Sequence, residues 1–297
     1  MLTIVGNRPQ FIKMAPVSLE IKQRGYKEFI VHTGQHFDNN MNTIFFEELG
    51  IPKPNHCLNI KSGTHGLMTG SMLIELERIL DEKKPNGILI YGDTNSTLAA
   101  ALAAVKLQIP IAHVESGPRI YDIDTPEEIN RIVADHAAKF RFCPDLVSVQ
   151  NLAKENITEG VYLTGDVMYD SFLVFSKVAK KKSSIIKSLG LEKEKFALLT
   201  VHRPNNTDTF DALNKIVELL RNTDMKLVFP MHPRTEASFK KFGFQKGLKE
   251  LHNVITMPAV GYLDMLELVN NSSIVLTDSG GLQKEAFYAG KPVLILF

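Results

Sequence analysis

Two cysteines in 297 residues leave no basis for a disulfide framework. Cys57 and Cys143 stand far apart, in no CxxC pair and no histidine cluster, so structural zinc is not signalled and both read as buried free thiols. Long apolar runs are missing too. The longest, Leu98–Val105, falls well short of the roughly 18 residues a membrane span needs. The N-terminus carries no basic segment followed by an apolar stretch, and a cytoplasmic protein is expected. Neither sign of charge dominates: 34 basic against 33 acidic side chains leave a formal charge of +1, which argues against nucleic acid as a partner. With no low-complexity tract, 44% apolar and 23% charged residues describe a globular chain with ample core, long enough for two domains.

What is present is a regular alternation. Short β-branched runs at 2–5, 29–32, 87–91, 110–114, 197–201, 226–230, 273–277 and 292–296 are bounded by glycine, proline or polar turns. Between them lie helical patterns at 11–24, 66–82, 94–107, 208–221 and 281–289. Strand and helix in turn predict an α/β protein with parallel sheets covered on both faces. The alternation weakens between Ser171 and Lys195, where Lys180–Lys182 read as a solvated helix end. We therefore expect an N-terminal Rossmann-like domain over 1–168, carrying acid/base residues, and a C-terminal one over 169–297. Ligands of such sheets sit beyond the carboxyl ends of the strands, which predicts a cleft between the two halves. The sequence finishes on the apolar GKPVLILF, from which we expect a second domain shortened at its C-terminus.

The unusual residues fall at those strand ends. Asp93 follows the strand at 87–91 and precedes an alanine-rich helix, a position that suits either a helix cap or a reacting group. His113 lies inside an apolar strand and reads as a satisfied core histidine. Glu115, at the end of that strand, demands a nearby base or donor, because an ionised carboxylate leaving water costs several kcal/mol unless it is paired. Pro126 opens a helix with Glu127 and Glu128 in its first turn, and Glu127 with Arg131 forms a favourable i,i+4 pair. The connectivity predicts that Asp93, Glu115 and Glu127 converge, a grouping suited to proton transfer at neutral pH.

In the second half, Asp278-Ser279-Gly280-Gly281 leads from a strand into a helix, the pattern of a diphosphate cradle in which backbone N–H groups meet the ligand. Glu285 lies four residues past Gly281, able to accept from ribose hydroxyls. Cationic groups stand at corresponding corners: Arg8 and Lys13, His202 and Arg203, His232 and Arg234. Their placement suits an anionic ligand.

With these residues assembled, the sequence resembles the non-hydrolysing UDP-N-acetylglucosamine 2-epimerase family. The matching stretches are Gly6-Asn7-Arg8-Pro9 through Lys13-Met14-Ala15-Pro16, Thr33-Gly34-Gln35-His36, Gly92-Asp93-Thr94, His113-Val114-Glu115, Pro126-Glu127-Glu128-Ile129-Asn130-Arg131, His202-Arg203, and Asp278-Ser279-Gly280-Gly281 through Glu285-Ala286. The resemblance implies two Rossmann-like domains of the GT-B kind and inversion at C2 of the sugar in UDP-N-acetylglucosamine, by elimination and re-addition of UDP through 2-acetamidoglucal. It implies a UDP-sugar substrate, no cofactor, no metal and a homodimer. Carried over, Asp93, Glu115, Glu127, His202 and Lys13 are catalytic candidates, while Arg8, Arg131, His232, Ser279, Gly280, Gly281 and Glu285 are substrate-binding candidates. Pro118, Asn205-Asn206 and Lys284 depart from the family pattern. Relatives acting on 2,3-diacetamido sugar nucleotides share GNRPQFIK and GDTNSTLA, which sets an alternative substrate beside the first. A shortened, inactive UDP-binding remnant is the other alternative.

Overall fold

The computed structural model describes residues 1–34, 46–58, 60 and 63–296. Gln35, His36 and the final Phe297 lie outside the described residues. The chain divides into two compact units, Met1–Ser171 and Phe172–Phe297.

The first unit runs β1 (Leu2–Val5), α1 (Arg8–Gln23), β2 (Phe29–His32), β3 (His56–Cys57), α2 (His65–Lys83), β4 (Ile88–Tyr91), α3 (Asn95–Lys106), β5 (Ile111–Val114), α4 (Pro126–Ala137), β6 (Phe140–Cys143), α5 (Leu146–Lys154) and β7 (Val161–Leu163). The sheet order is β3-β2-β1-β4-β5-β6-β7, every pairing parallel. The strand order reverses between β1 and β4, the topological switch point beyond whose carboxyl ends ligands of this fold bind. Alanines let α3 lie close against the sheet: Ala99, Ala100, Ala103 and Ala104 pack with Leu2, Ile4, Ile88, Ile90 and Ile111 in one core.

α6 (Val167–Lys182) carries the chain into the second unit. There follow α7 (Ile185–Ser188), β8 (Phe196–Thr200), α8 (Pro204–Thr207), α9 (Phe210–Arg221), β9 (Lys226–Met231), α10 (Pro233–Lys241), α11 (Gln245–Lys249), β10 (Val254–Pro258), α12 (Tyr262–Asn271), β11 (Ile274–Thr277), α13 (Gly280–Tyr288) and β12 (Val293–Ile295). This sheet is also all parallel, in the order β10-β9-β8-β11-β12. Alternate residues of its strands feed two cores. Leu199, Leu227 and Phe229 pack with Leu213, Val217 and Leu220 of α9, whereas Leu198, Val228 and Val275 pack with Met265, Leu268 and Val269 of α12. Both faces are therefore covered, as the apolar runs required.

α1 begins at Arg8, before the predicted Phe11. The Asn7 side chain caps it by accepting from the Gln10 N–H at 3.2 Å, and Pro9 fits the first turn, where its missing donor has no consequence. Cys143 is buried and burial pushes its thiol up to about 11, whereas Cys57, on the short β3, is exposed, contrary to expectation. Lys180–Lys182 end α6 in solvent as expected. Among the described residues no helix is long and apolar enough to cross a membrane.

One loop position is held tightly. Gly117 has φ +89° and a Cβ there would press on the Ser148 carbonyl of α5, while Gly25, at φ +74°, faces open space. Gly117→Ala is expected to lower stability by roughly 2 kcal/mol or more, from strain plus overlap, and Gly25→Ala by about 1 kcal/mol from strain alone. Urea unfolding of the two variants measures the difference, and equal losses would contradict it.

Candidate functional site

In the first unit, three neighbouring strands deliver their carboxyl ends to one place. α1 turns Lys13 inward until its Nζ forms an ion pair with Oε2 of Glu115, at the end of β5, with side chains 10% and 14% exposed. Between them in strand order stands β4, whose following residue is Gly92. A Cβ at Gly92 would lie 3.2 Å from the Lys13 Nζ and 3.3 Å from the Glu115 Oε2. Glycine suits this position chiefly because its φ is +61°, and the absence of a side chain leaves the pair uncrowded. Glu115 itself adopts φ +68°, a conformation a non-glycine residue holds only where its surroundings fix it.

Asp93 comes next. Position alone allowed it to be the helix cap, but Thr94 is the N-cap of α3, and its N–H donates to Thr97 Oγ1 at 3.3 Å. The Asp93 carboxylate instead pairs with Arg131 of α4, and its backbone carbonyl accepts from Asn130 Nδ2 at 2.9 Å. Burial lowers the Arg131 guanidinium, but Asp93 and Glu128 outweigh it and leave a net rise.

The α4 acids behave differently from the predicted pattern. Arg131 pairs one turn back with Glu128, Nη1 to Oε2 2.8 Å, and not with Glu127. Glu128 is 1% exposed and also accepts the backbone N–H groups of Ile120 at 3.1 Å and Tyr121 at 2.9 Å. Glu127 stands exposed on the first turn. The amphipathic stripe explains this: the buried face of α4 carries Glu128, Asn130, Ala134 and Asp135, and Glu127 falls outside it. Arg8, in the first turn of α1, is half-buried.

Two further residues with no role in the sequence reading organise these corners. Gln10 is buried and accepts from the Gly6 N–H at 2.7 Å while its Nε2 donates to the Tyr91 carbonyl at 2.7 Å, tying the ends of β1 and β4. Asp135 is wholly buried and gathers His113, Ser116, Gly117 and Arg119. Burial pushes its carboxyl up, but His113, Ser116 and Arg119 outweigh that and hold it at about 2. His113 is 0% exposed with both ring nitrogens engaged, as a satisfied core histidine should be.

In the second unit the hub is Asp278, at the end of β11. Its buried carboxylate accepts the backbone N–H of His202 at 3.0 Å, that of Arg203 at 2.8 Å, Asn206 Nδ2 at 3.0 Å, and lies 3.1 Å from His202 Nδ1. Burial raises the carboxyl, yet these donors hold it far below the usual carboxylate range. The His202 side chain is 39% exposed, so its Nδ1 faces the carboxylate while the ring keeps access to solvent. His232 caps α10, its Nδ1 accepting from the Arg234 N–H at 3.2 Å, with its ring 5.6 Å from that of His202. Ser279 caps α13, Gly280 and Gly281 form its first turn, and Glu285 is buried on the face it shares with Leu282 and Ala286. The exposed start of α13 presents backbone donors and the positive end of the helix dipole, the setting that attracts phosphate. Among the described residues no group of three or more His, Cys, Asp or Glu is placed to hold a metal.

Two all-parallel sheets, each with polar groups gathered at its strand ends, define a two-unit Rossmann-like protein. The model of the UDP-N-acetylglucosamine 2-epimerase family matches residues 19–296, and the chain belongs to that family. It is 49% identical to a UDP-N-acetylglucosamine 2-epimerase homolog of Methanococcus maripaludis, over 99% of this chain and 83% of that protein. It is 47% identical to the UDP-2,3-diacetamido-2,3-dideoxy-D-glucuronate 2-epimerase of Pseudomonas aeruginosa, over 99% and 82%. Among solved structures, the Methanocaldococcus jannaschii UDP-GlcNAc 2-epimerase in complex with UDP-GlcNAc and UDP matches with a TM-score of 0.90 at 39% identity, over 99% of this chain and 83% of that one. The chain spans 82–83% of the length of these relatives.

Glu128 and Glu127 give a direct contrast. Glu128→Ala leaves two buried backbone donors without their carboxylate and removes one of the two acids paired with Arg131, and is expected to lower stability by roughly 3 kcal/mol, whereas Glu127→Ala changes it by less than about 0.5 kcal/mol. Thermal unfolding of both variants checks this, and the reverse order would contradict it.

Proposed function

We propose that this protein inverts C2 of the sugar in UDP-N-acetylglucosamine, giving UDP-N-acetylmannosamine for surface polysaccharide precursors. The route is elimination of UDP to 2-acetamidoglucal, followed by re-addition. The observation that carries this reading is the pairing of Lys13 with Glu115 beside that of Arg131 with Asp93, at the carboxyl ends of adjacent parallel strands. Membership of the family and the M. jannaschii relative crystallised with UDP-GlcNAc and UDP support it.

The chemistry follows from the bond changes. The C2 proton of the sugar has no adjacent carbonyl and is weakly acidic, so its removal needs a carboxylate and must be coupled to departure of UDP. The pair of electrons from the C2–H bond becomes the C1–C2 double bond as the C1–O bond breaks. Re-addition returns UDP to C1 and a proton to the opposite face of C2, so nothing is oxidised or reduced. Glu115, Asp93 and Glu127 are the acid/base candidates. Lys13, with Arg8 and Arg131, offsets negative charge that builds as the diphosphate leaves. His202, oriented by Asp278, and His232 attend the leaving group, while Ser279, Gly280 and Gly281 bind diphosphate at the start of α13 and Glu285 accepts from the ribose.

A second substrate has a specific observation behind it. The 47% identity to the P. aeruginosa enzyme makes a UDP-2,3-diacetamido uronic acid the other candidate. Incubating the protein with each UDP-sugar and following the anomeric proton signals by NMR separates the two. UDP-N-acetylmannosamine formed without an acceptor is the expected result. Conversion of the diacetamido sugar alone would replace the substrate but keep the reaction, and conversion of neither would overturn the proposal. Glu115→Gln, Asp93→Asn and His202→Ala are each expected to lower kcat by about 100-fold or more, and full activity in all three would contradict the assigned roles.

A further inference from the structure

Beneath the strand ends lies a buried ionic cluster that the proposed chemistry does not use. His113 of β5 directs Nε2 to the Gly92 carbonyl at 2.7 Å and Nδ1 to Asp135 Oδ1 at 2.7 Å. Both ring nitrogens are thereby committed, and Ser116 Oγ stands 2.9 Å from Nδ1 as well. The same Asp135 carboxylate accepts Ser116 Oγ at 2.5 Å, the Gly117 N–H at 3.1 Å and Arg119 Nη1 at 2.7 Å. Arg119 in turn grips Glu155 through Nε at 2.7 Å and Nη2 at 2.9 Å.

We infer that His113 and Asp135 are positioning residues that lock the Gly92–Asp93 corner and the Glu115 backbone into one rigid body, setting the distance between the two carboxylates. The inference rests on the epimerase reading and adds two groups that touch no substrate. Its geometry is that of a clamp on both sides of each reacting residue. Asp93 is flanked by the Gly92 carbonyl, held by His113, and has its own carbonyl held by Asn130. Glu115, at φ +68°, lies between His113 and Ser116, both bonded to Asp135. Its N–H and that of Ser116 share the Phe142 carbonyl of β6 at 3.1 and 3.0 Å.

A neutral apolar cluster of the same volume would serve stability as well, because burying charge is offset only when every donor and acceptor is matched. What the ionic version adds is direction. Each bond fixes one atom at the strand ends, and small misplacements of reacting groups are expensive in rate.

The test uses the full chain and compares Asp135→Asn, His113→Leu, His113→Gln and Ser116→Ala. Wild-type turnover is measured first: its absence overturns the epimerase reading, whereas active wild type with unaffected variants overturns only the positioning role. In folded Asp135→Asn and His113→Leu, kcat is expected to fall about 10- to 100-fold with KM within about threefold and UDP affinity by calorimetry unchanged. His113→Gln, which keeps an N–H able to reach the Gly92 carbonyl, is expected to recover part of what His113→Leu loses. Should the charged variants fail to fold, Ser116→Ala removes a single donor and is expected to lower kcat severalfold at unchanged KM. Losses shared equally between kcat and KM, or no recovery with glutamine, would overturn the inference. A crystal structure of Asp135→Asn supplies a readout independent of turnover: displacement of the Gly92 carbonyl and the Glu115 carboxylate supports the clamp, and an unchanged corner contradicts it.

Discussion

A lysine and a glutamate that have both largely left water determine how the strand ends of the first unit are arranged. Lys13 comes from α1, the helix that follows β1, and Glu115 from the end of β5, the two strands that flank β4, and their charges meet against a residue without a side chain, Gly92. Removing one partner of such a pair strands the other charge and costs about 3–5 kcal/mol. The pair therefore ties α1 to the end of β5, and the bare backbone after β4 leaves it room. It also accounts for the left-handed backbone of Glu115, which the surrounding bonds hold in place.

Each unit repeats one device on its own sheet. A buried aspartate gathers backbone N–H groups and one histidine: Asp135 with Gly117 and His113, Asp278 with His202 and Arg203. The difference lies in the histidine. His113 is sealed in the core with both nitrogens committed, whereas the His202 side chain is 39% exposed. The same local chemistry thus gives a fixed support in one unit and an accessible ring in the other. Held by its carboxylate partner, the accessible ring has its orientation set.

Much of this is legible in the sequence, and the reasons are physical. Central parallel strands such as β1, β4, β5, β8 and β11 are buried on both faces, so their apolar runs are continuous and stand out. β3, β6, β7 and β10 escaped notice: β3 has two residues, β7 is mostly exposed, β10 lies at a sheet edge, and β6 hides a buried Arg141 in its FRFC run. Glycine, acid and cation at strand ends marked the candidate site, because those residue types are costly there without a purpose. Side-chain pairing was less legible. Spacing permits Arg131 to meet either Glu127 or Glu128, and the tertiary packing of α4 decides for Glu128. Asp135 and Asp278 could have been suspected from a single signal, an acid among residues that fold into the core, but their hydrogen-bond partners come from distant strands.

In the proposed reaction Lys13 and Glu115 act as one unit in moving the C2 proton. A double-mutant cycle on the rate of deuterium uptake at C2 of the UDP-sugar in D2O, with Lys13→Met, Glu115→Gln and the double variant, tests it most directly. If the two groups work together, the double variant takes up deuterium no more slowly than the slower single variant. Losses that multiply, giving a double variant slower than either by the product of the two effects, would contradict it.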